Sequence, residues 1–223
     1  PAAWVIKRLP NLNLKETMVY GTAGLTALLS VAALVDAGVK AKDGEVLVTG
    51  TTGGVGSFAA RTLAKLGYEV VGVQRRPEEE TFLNGLGLKR IVPVEEVDDQ
   101  SGRPLGKPLW AGVIDTVGGN ILYTAIKTTR YGGSITCCGN AASNSLPATV
   151  LPFILRGVTL CGIDSVECPM DHRLRVWNKI AGEWKLDNVE ALAEECSLEE
   201  LNQKIDMILQ GKVQGRVVVN LAR

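Results

Sequence analysis

The chain has 223 residues, of which 46% are hydrophobic, and 24 basic residues balance 24 acidic ones. This length can bury a full core in one large or two unequal domains. The charge balance gives no electrostatic reason to bind nucleic acid or an anionic membrane, so neither is expected as a partner. No apolar stretch reaches the roughly 18 to 20 residues of a membrane span. The longest candidate, Leu25 to Val35, is interrupted by Thr26 and Ser30.

Five cysteines without a CxxC pair predict reduced thiols in a cytoplasmic protein, not a disulfide framework or a zinc site. The single histidine, His172, excludes a multi-histidine metal site and is expected to be a solvated helix residue. Cys137 and Cys138, at a predicted strand end, are interpreted as buried thiols and not as nucleophiles. The first ten residues lack the features of a secretory signal. We therefore expect no metal and a cytoplasmic location.

The predicted elements begin with a strand at Pro1–Pro10, which has no preceding partner. From Glu45 onward, short runs rich in Val and Ile alternate with helical segments, which is typical of an α/β fold with a doubly wound parallel sheet. The runs show little polar alternation, as expected for strands covered on both faces. These strands are predicted at Glu45–Thr49, Glu69–Gln74, Arg90–Val94, Ala111–Asp115, Gly133–Cys138 and Thr159–Ile163.

The segments between these strands are predicted to be helical crossovers. The first has apolar residues at helical spacing, and the second begins with a proline followed by three glutamates, a favourable helix start. The chain ends with a predicted helix at Leu198–Gln210 and a strand at Gln214–Leu221, and Gly102–Pro108 is expected to be a loop. The crossovers are predicted at Val55–Leu66, Pro77–Leu86, Asn120–Thr129 and Leu151–Leu155.

A glycine-rich loop, LVTGTTGGVG, occupies residues 47–56 between the first predicted strand of the sheet and the helix that follows it. Gly53 and Gly56 fill the second and third glycine positions of the dinucleotide pattern GxGxxG, and Thr51 holds the first. Small residues here let the backbone approach a pyrophosphate, which the N–H groups at the helix start can bind. A tight turn without a ligand is the alternative.

The end of the next predicted strand indicates which dinucleotide is bound. NAD-binding folds usually place an acidic residue there for the ribose hydroxyls. This chain has Gln74, Arg75 and Arg76 instead, and the two guanidinium groups suit a ribose 2′-phosphate. We therefore predict NADPH as the cofactor. The alternative is that both arginines are ordinary surface charges.

A second motif reading points to short-chain dehydrogenases. Residues 49–56 also match TGxxxGxG, and Tyr123 and Lys127 match the YxxxK pair, which shares one helix face. The spacing argues against this reading. About 44 residues precede the first strand of the sheet, the tyrosine comes too early, and Trp110 stands where a preceding serine is expected.

Seven blocks of the sequence together carry a resemblance to a known family. They are Val19–Ala27, Asp43–Gly50, Trp110–Gly118, Tyr131–Gly133, Pro152–Val158, Gly162–Val166 and Gln214–Arg216. These blocks closely resemble the zinc-independent quinone oxidoreductases of the medium-chain dehydrogenase/reductase superfamily. Within that superfamily they are most similar to the YhdH/YhfP group, which includes acryloyl-CoA reductases, and the resemblance spans essentially the whole chain.

This resemblance implies a Rossmann fold with terminal strands left over from a GroES-like catalytic domain. Residues 1–20 would be the remnant of that N-terminal domain, and residues 21–165 would form the NADP-binding Rossmann domain. Residues 166–223 would hold C-terminal helices and a closing strand that returns to the catalytic domain. The family's Asn-Tyr-x-Asp motif belongs to the N-terminal domain and does not occur here. We therefore expect a partial chain and assign no catalytic residue.

The resemblance also implies which residues contact the cofactor. Purely structural alternatives stay open for three of them: a loop cap for Asn140, a core position for Ile154 and a turn hydroxyl for Ser165. Thr22 and Thr26 are further candidates to approach the nicotinamide, and a helix-start hydroxyl and a helix-interior hydroxyl explain them nearly as well. Arg216 has two alternative roles: it contacts the cofactor or an acyl-CoA, or it forms a structural pair within the protein. The implied contacts are Thr52, Gly53, Gly54, Val55, Gly56, Gln74, Arg75, Arg76, Arg90, Asn140, Ile154 and Ser165.

The activity implied by the resemblance is NADPH-dependent reduction of a carbonyl-conjugated C=C bond, as in a short enoyl-CoA such as acryloyl-CoA. Hydride adds to the β-carbon, and the resulting enolate is stabilised and protonated. A quinone oxidoreductase and an NADPH-binding module without turnover are the alternatives. The chain alone is expected to be inactive, and the full protein is expected to be a homodimer joined through an edge strand.

Overall fold

Six strands of the computed structural model, which describes residues 4–222, form one parallel sheet. The strands are β1 Val46–Val48, β2 Val70–Gln74, β3 Arg90–Pro93, β4 Trp110–Asp115, β5 Thr129–Cys137 and β6 Thr159–Gly162. Their order across the sheet is β3-β2-β1-β4-β5-β6. The chain direction across the sheet reverses between β1 and β4, and ligands bind outside the carboxyl ends of strands at such a switch point. The predicted doubly wound sheet is confirmed.

Helices cover both faces of this sheet. In β1, Val46 and Val48 belong to the core cluster that contains α1 and α2, whereas Leu47 belongs to the cluster that contains α4. This two-residue alternation shows why the strand is apolar throughout, since both of its faces are buried. The α-helices are α1 Leu14–Asp36, α2 Gly54–Lys65, α3 Glu80–Asn84, α4 Gly119–Thr128, α5 Leu151–Arg156, α6 Met170–Ala181 and α7 Leu201–Leu209.

Most predicted boundaries shift by one to three residues in the structure, and two elements differ by more. The fifth strand starts four residues earlier than expected, at Thr129, because Thr129 pairs with Trp110 across an irregularity in the register. The predicted helix Pro77–Leu86 is a 3₁₀ turn, Pro77–Glu79, followed by the short α3. The expected loop around Gly102–Pro108 is confirmed.

Helix α1 begins with a capping box, in which Asn13 accepts from the Glu16 amide and Glu16 accepts from the Asn13 amide, both at 2.7 Å. Its dihedral angles become non-helical at Gly21 (φ 47°), so the helix is kinked there. Within residues 4–222, α1 is also the one helix long and apolar enough to span a membrane, a feature the sequence reading missed. Most of that stretch, 72%, is buried within the protein, as in a core helix.

The terminal segments fulfil one of the two strand predictions. The closing strand exists as β8 Arg216–Val219, and it pairs in parallel with β7 Ala193–Cys196, which the sequence did not reveal. Residues 4–10 form no strand, so that prediction is wrong there, and residues 1–3 lie outside the described part. Trp4 and Val5 have no strand partner and are about three-quarters exposed. The three-part domain division stays a prediction.

Candidate dinucleotide site

The glycine-rich loop leaves the carboxyl end of β1 at the switch point of the sheet. Gly50 has a positive φ of 59°, and a Cβ there would lie 2.2 Å from the Thr116 hydroxyl. A side chain at Gly56 would lie 2.2 Å from the Gly50 carbonyl oxygen, because helix α2 packs directly against the loop. Both positions therefore require glycine, one for its dihedral angle and one for close packing.

Thr51, which departs from the glycine pattern, has a structural reason to be threonine. Its hydroxyl donates to the Val48 carbonyl at 2.6 Å and accepts from the Val73 amide at 2.7 Å, so it joins the ends of β1 and β2. Its φ is not positive, since the adjacent Gly50 takes the left-handed conformation instead. The departure therefore leaves the loop geometry intact.

Helix α2 presents an uncapped amino end to this loop. Its N-cap is Gly53, and no side chain accepts from the first amides. Unpaired N–H groups and the positive end of the helix dipole together favour an anion at this position.

Arg216, at the start of β8, adds a cation to the same place. A Cβ on Gly54 would lie 2.9 Å from Arg216 Cδ, and one on Gly21 would lie 3.1 Å from a terminal nitrogen of Arg216. The Nε of Arg216 is buried without a hydrogen-bond partner in the described part of the chain. Burial lowers the pKa of this guanidinium. A half-buried cation that has no partner among residues 4–222, next to an uncapped helix start, indicates a site for an anionic ligand.

The end of β2 closes the other end of the site. Gln74 donates its side-chain amide to the carbonyls of Arg76 and Pro77, so it holds the turn and does not face the cavity. Arg76 donates to the carboxylate of Glu79 at 3.2 Å and to the carbonyl of Gly211. The guanidinium of Arg75 is exposed and makes no hydrogen bond or ion pair within residues 4–222.

These features surround a cavity of about 780 Å³, within the size range of ligand pockets. Seven of the predicted contacts line it, so the structure brings them together: Thr52, Gly53, Gly54, Val55, Gly56, Arg75 and Arg76. The far wall is formed by the turn between α7 and β8, whose Gly215 amide donates to the Thr52 carbonyl at 2.8 Å. Sequence reasoning missed this wall, although the Gln214-Gly215-Arg216 block was a signal for it.

Arg90 does not belong to this site. It is the first residue of β3 and therefore lies at the amino edge of the sheet, opposite the glycine-rich loop. Its guanidinium forms a bidentate pair with Glu45, at 2.9 and 2.7 Å, and lies 5.5 Å from the Trp110 ring centre. The geometry thus contradicts the implied cofactor contact, because strand polarity separates the two edges.

The remaining implied contacts lie outside the main cavity. Asn140 is exposed and lines a second cavity of about 370 Å³ near Gly118 and Leu160. Ile154 is 69% exposed on α5. Ser165 Oγ lies 2.8 Å from Thr26 Oγ1, and Thr26 also donates to the Thr22 carbonyl, so these hydroxyls satisfy one another. Cofactor roles for these residues stay predictions.

The tyrosine–lysine pair on α4 does not form a catalytic couple. Lys127 is fully buried and forms an ion pair with Asp99 at 2.7 Å, while its ammonium lies 4.9 Å from the Tyr123 ring centre. Neither residue lines the cavities described above. The pair therefore attaches the loop around Asp99 to the helix, in agreement with the rejection of the short-chain reading.

The thiols next to the site are protonated at neutral pH. Burial raises the pKa of Cys138 to about 11, and burial together with the nearby Asp115 raises the pKa of Cys137. Asp115 is itself fully buried and accepts from the Thr49 hydroxyl and the Gly118 amide. Both thiols are half-buried, less than predicted from the sequence, and the raised pKa values favour the neutral thiol over the nucleophilic thiolate. His172 is exposed on α6, as predicted.

The sheet order and the loop at its switch point define a Rossmann-type nucleotide-binding fold. A family model described as zinc-binding dehydrogenase matches residues 54–180. The acrylyl-CoA reductase AcuI of Ruegeria pomeroyi is 46% identical over 220 residues, which are 99% of this chain and 67% of that protein. The chain therefore belongs to the zinc-binding dehydrogenase family, and the resemblance to its acryloyl-CoA and quinone reductases is confirmed.

Two solved structures match almost the whole chain. Escherichia coli YhdH with bound NADPH has a TM-score of 0.93 at 42% identity, covering 97% of this chain and 66% of that one. Bacillus subtilis YhfP with bound NAD has a TM-score of 0.95 at 45% identity, covering 99% and 68%. YhfP is described as a candidate quinone oxidoreductase. The chain thus spans about two thirds of the length of these relatives.

The family's name implies zinc, but the residues described here do not fit a zinc site. In the range 4–222, no group of three or more His, Cys, Asp or Glu side chains is arranged to hold a metal ion. Structural and catalytic zinc sites need three or four such ligands.

Proposed function

We propose that this chain is the cofactor-binding part of an NADPH-dependent reductase of carbonyl-conjugated C=C bonds. The observation that carries the proposal is the unpartnered guanidinium of Arg216 beside the uncapped start of α2, in a cavity that ends at Arg75. One anionic group fits at each end of this cavity, as a pyrophosphate and a ribose phosphate require. The NADPH-bound relative YhdH, at 42% identity, supports the choice of cofactor.

When bound, NADPH supplies the hydride for the β-carbon of the acceptor. The residues of this chain bind and orient it. The amides of Gly54 and Val55 and the guanidinium of Arg216 would hold the pyrophosphate, and Arg75 would hold the ribose phosphate. Val73 and Ile208 line the cavity between these ends and would give the cofactor apolar contacts there.

For the acceptor we propose a short enoyl-CoA such as acryloyl-CoA. Support comes from the relative AcuI, which is named an acrylyl-CoA reductase and is 46% identical. A quinone is the second candidate, because YhfP, which is 45% identical to this chain, is described as a candidate quinone oxidoreductase. The relatives are about half as long again as this chain, so we propose that residues 1–223 bind cofactor without turnover.

Two measurements test these proposals. Titration of the chain with NADPH and NADH should show tighter binding of NADPH, and equal affinities would contradict the cofactor assignment. Steady-state NADPH oxidation by the full-length protein should be faster with acryloyl-CoA than with a quinone. The reverse order would favour the quinone reductase, and binding without turnover of either acceptor would leave a cofactor-binding module.

We further propose a cytoplasmic homodimer joined through β6, one of the two edge strands of the sheet. Next to this edge, the side chains of Val150, Ile154 and Leu155 are 57 to 69% exposed. An open strand edge beside apolar side chains favours pairing with a second copy. Sedimentation analysis over a range of concentrations should show a dimer, and a monomer throughout would refute this arrangement.

A further inference from the structure

The buried carboxylate of Glu79 organises the end of β2. Only 1% of this residue is exposed, although it is ionisable. Its oxygens accept from the amide of Arg75 at 2.9 Å, the amide of Arg76 at 3.4 Å and the Nε of Arg76 at 3.2 Å. A buried carboxylate needs such donors. Glu79 is therefore committed to the protein and does not face a ribose phosphate.

Arg76 connects this carboxylate to the far wall of the cavity. Besides bonding to Glu79, its guanidinium donates to the carbonyl of Gly211, which lies two residues after the end of α7. Two other hydrogen bonds hold the same segment, residues 211–217: Gln214 donates to the Glu78 carbonyl and Gly215 to the Thr52 carbonyl. This segment, which we term the C-terminal turn, lines the cavity and contains Arg216.

Arg75 stands in contrast to its neighbour. Its backbone amide is fixed by Glu79, while its side chain lines the same cavity and forms no bond with the described residues. The two adjacent arginines therefore differ in their available donors. A guanidinium with free donors can bind a phosphate with two bonds, whereas one already shared between a carboxylate and a carbonyl has fewer donors left.

We propose that Arg76 and Glu79 are positioning residues that hold the C-terminal turn against the cofactor cavity, and that Arg75 alone binds the ribose phosphate. This inference rests on the proposed NADPH binding and refines it. Through Arg216, which packs beside Gly54, the turn reaches the proposed pyrophosphate position, and NADPH and NADH share the pyrophosphate. Losing Arg76 or Glu79 therefore weakens both cofactors equally, whereas losing Arg75 weakens only the phosphorylated one.

The test uses dissociation constants of NADPH and NADH for the full-length protein and its variants. Arg75→Met should lower the preference for NADPH at least about tenfold, the loss of one charge-assisted interaction. Arg76→Met and Glu79→Gln should each weaken both cofactors by the same factor, about three- to tenfold, and leave the preference unchanged. Adenosine 2′,5′-bisphosphate and AMP, which lack the nicotinamide half, should reproduce the effect of Arg75→Met.

Two control variants separate positioning from general damage. Arg76→Lys keeps a donor for Glu79 and for Gly211 and should restore the affinities, which a purely steric role would not predict. Glu80→Gln changes an exposed neighbouring carboxylate and should have no effect. If thermal unfolding shows that Glu79→Gln is not folded, the comparison of Arg75→Met with Arg76→Met still tests the division of roles between the two arginines.

Two results would overturn the inference in distinguishable ways. Loss of the NADPH preference in Arg76→Met, with the preference retained in Arg75→Met, would reverse the assigned roles while leaving NADPH binding intact. Equal affinity of the unmodified protein for both cofactors would remove the proposed cofactor preference itself, and the division of roles with it.

Discussion

Replacing Arg216 with methionine should weaken NADPH binding without destabilising the protein. The Met side chain keeps the apolar stem that packs over Gly54 and removes the guanidinium, whose Nε has no partner in the described structure. Most buried polar groups show the opposite behaviour, since their removal breaks a hydrogen bond that stabilises the fold. An effect on binding alone is therefore specific to a cation that is held for a ligand.

The expected magnitudes follow from the surroundings of Arg216. A charge-assisted bond to a phosphate contributes about 1.5 to 3 kcal/mol, so the dissociation constant of NADPH should rise about 10- to 150-fold. NADH should weaken by the same factor, because both cofactors contain the pyrophosphate. The free energy of unfolding should stay constant or rise by up to about 1 kcal/mol, since a partly desolvated unpaired charge is removed.

Cofactor titration and urea unfolding measure the two effects on the same samples. Arg175→Met is the matched control. It removes the same charge from an exposed ion pair between Arg175 on α6 and Asp36 on α1, so both cofactor affinities should stay unchanged. A variant that loses stability by more than about 1 kcal/mol but binds NADPH normally would show that Arg216 is structural. That result would refute the reasoning.

Three further predictions concern the loop and the core. Gly56→Ala should cost about 1 to 3 kcal/mol of unfolding free energy and reduce NADPH binding, because its Cβ would press against the Gly50 carbonyl. Gly162→Ala is the control, since this glycine has open space around it, and it should change neither stability nor binding. Tyr20→Phe should cost about 1 to 3 kcal/mol in urea unfolding, because the buried Leu186 amide loses the tyrosine oxygen that accepts its hydrogen at 2.9 Å. The ion pair with Lys127 holds the pKa of Asp99 at about 2 in the folded protein, below its usual value near 4. This pair therefore stabilises the fold above about pH 4, and its contribution to the free energy of unfolding is lost as the pH falls toward 2. Asp99→Asn should flatten the pH dependence of the urea midpoint between pH 4 and 2, and an unchanged slope would contradict this assignment.

The alternation of strands and helices was readable from the sequence because it follows local rules. Runs of Val and Ile fully buried between two layers are apolar at every position, and the helices between them have apolar residues at helical spacing. The glycine-rich loop was equally readable, since the left-handed conformation of Gly50 and the close packing of Gly56 each demand that residue type. By contrast, β7 is short and carries two glutamates, so its local pattern does not indicate a strand.

The candidate site was only partly readable, because its residues come from distant parts of the chain. The family resemblance implied that Arg90 contacts the cofactor, yet strand polarity places it at the opposite edge of the sheet, paired with Glu45. The sequence could not separate Arg75 from Arg76, because the difference depends on the carbonyl of Gly211.

The sequence by itself determined the fold class, the glycine-rich loop and the presence of two basic residues at the end of β2, since each depends on neighbouring residues. The tertiary structure decided which cations remain unpaired. Charges find partners through space, and only the folded chain shows that Arg216 meets the start of α2 without a counter-charge while Arg76 and Arg90 already have theirs.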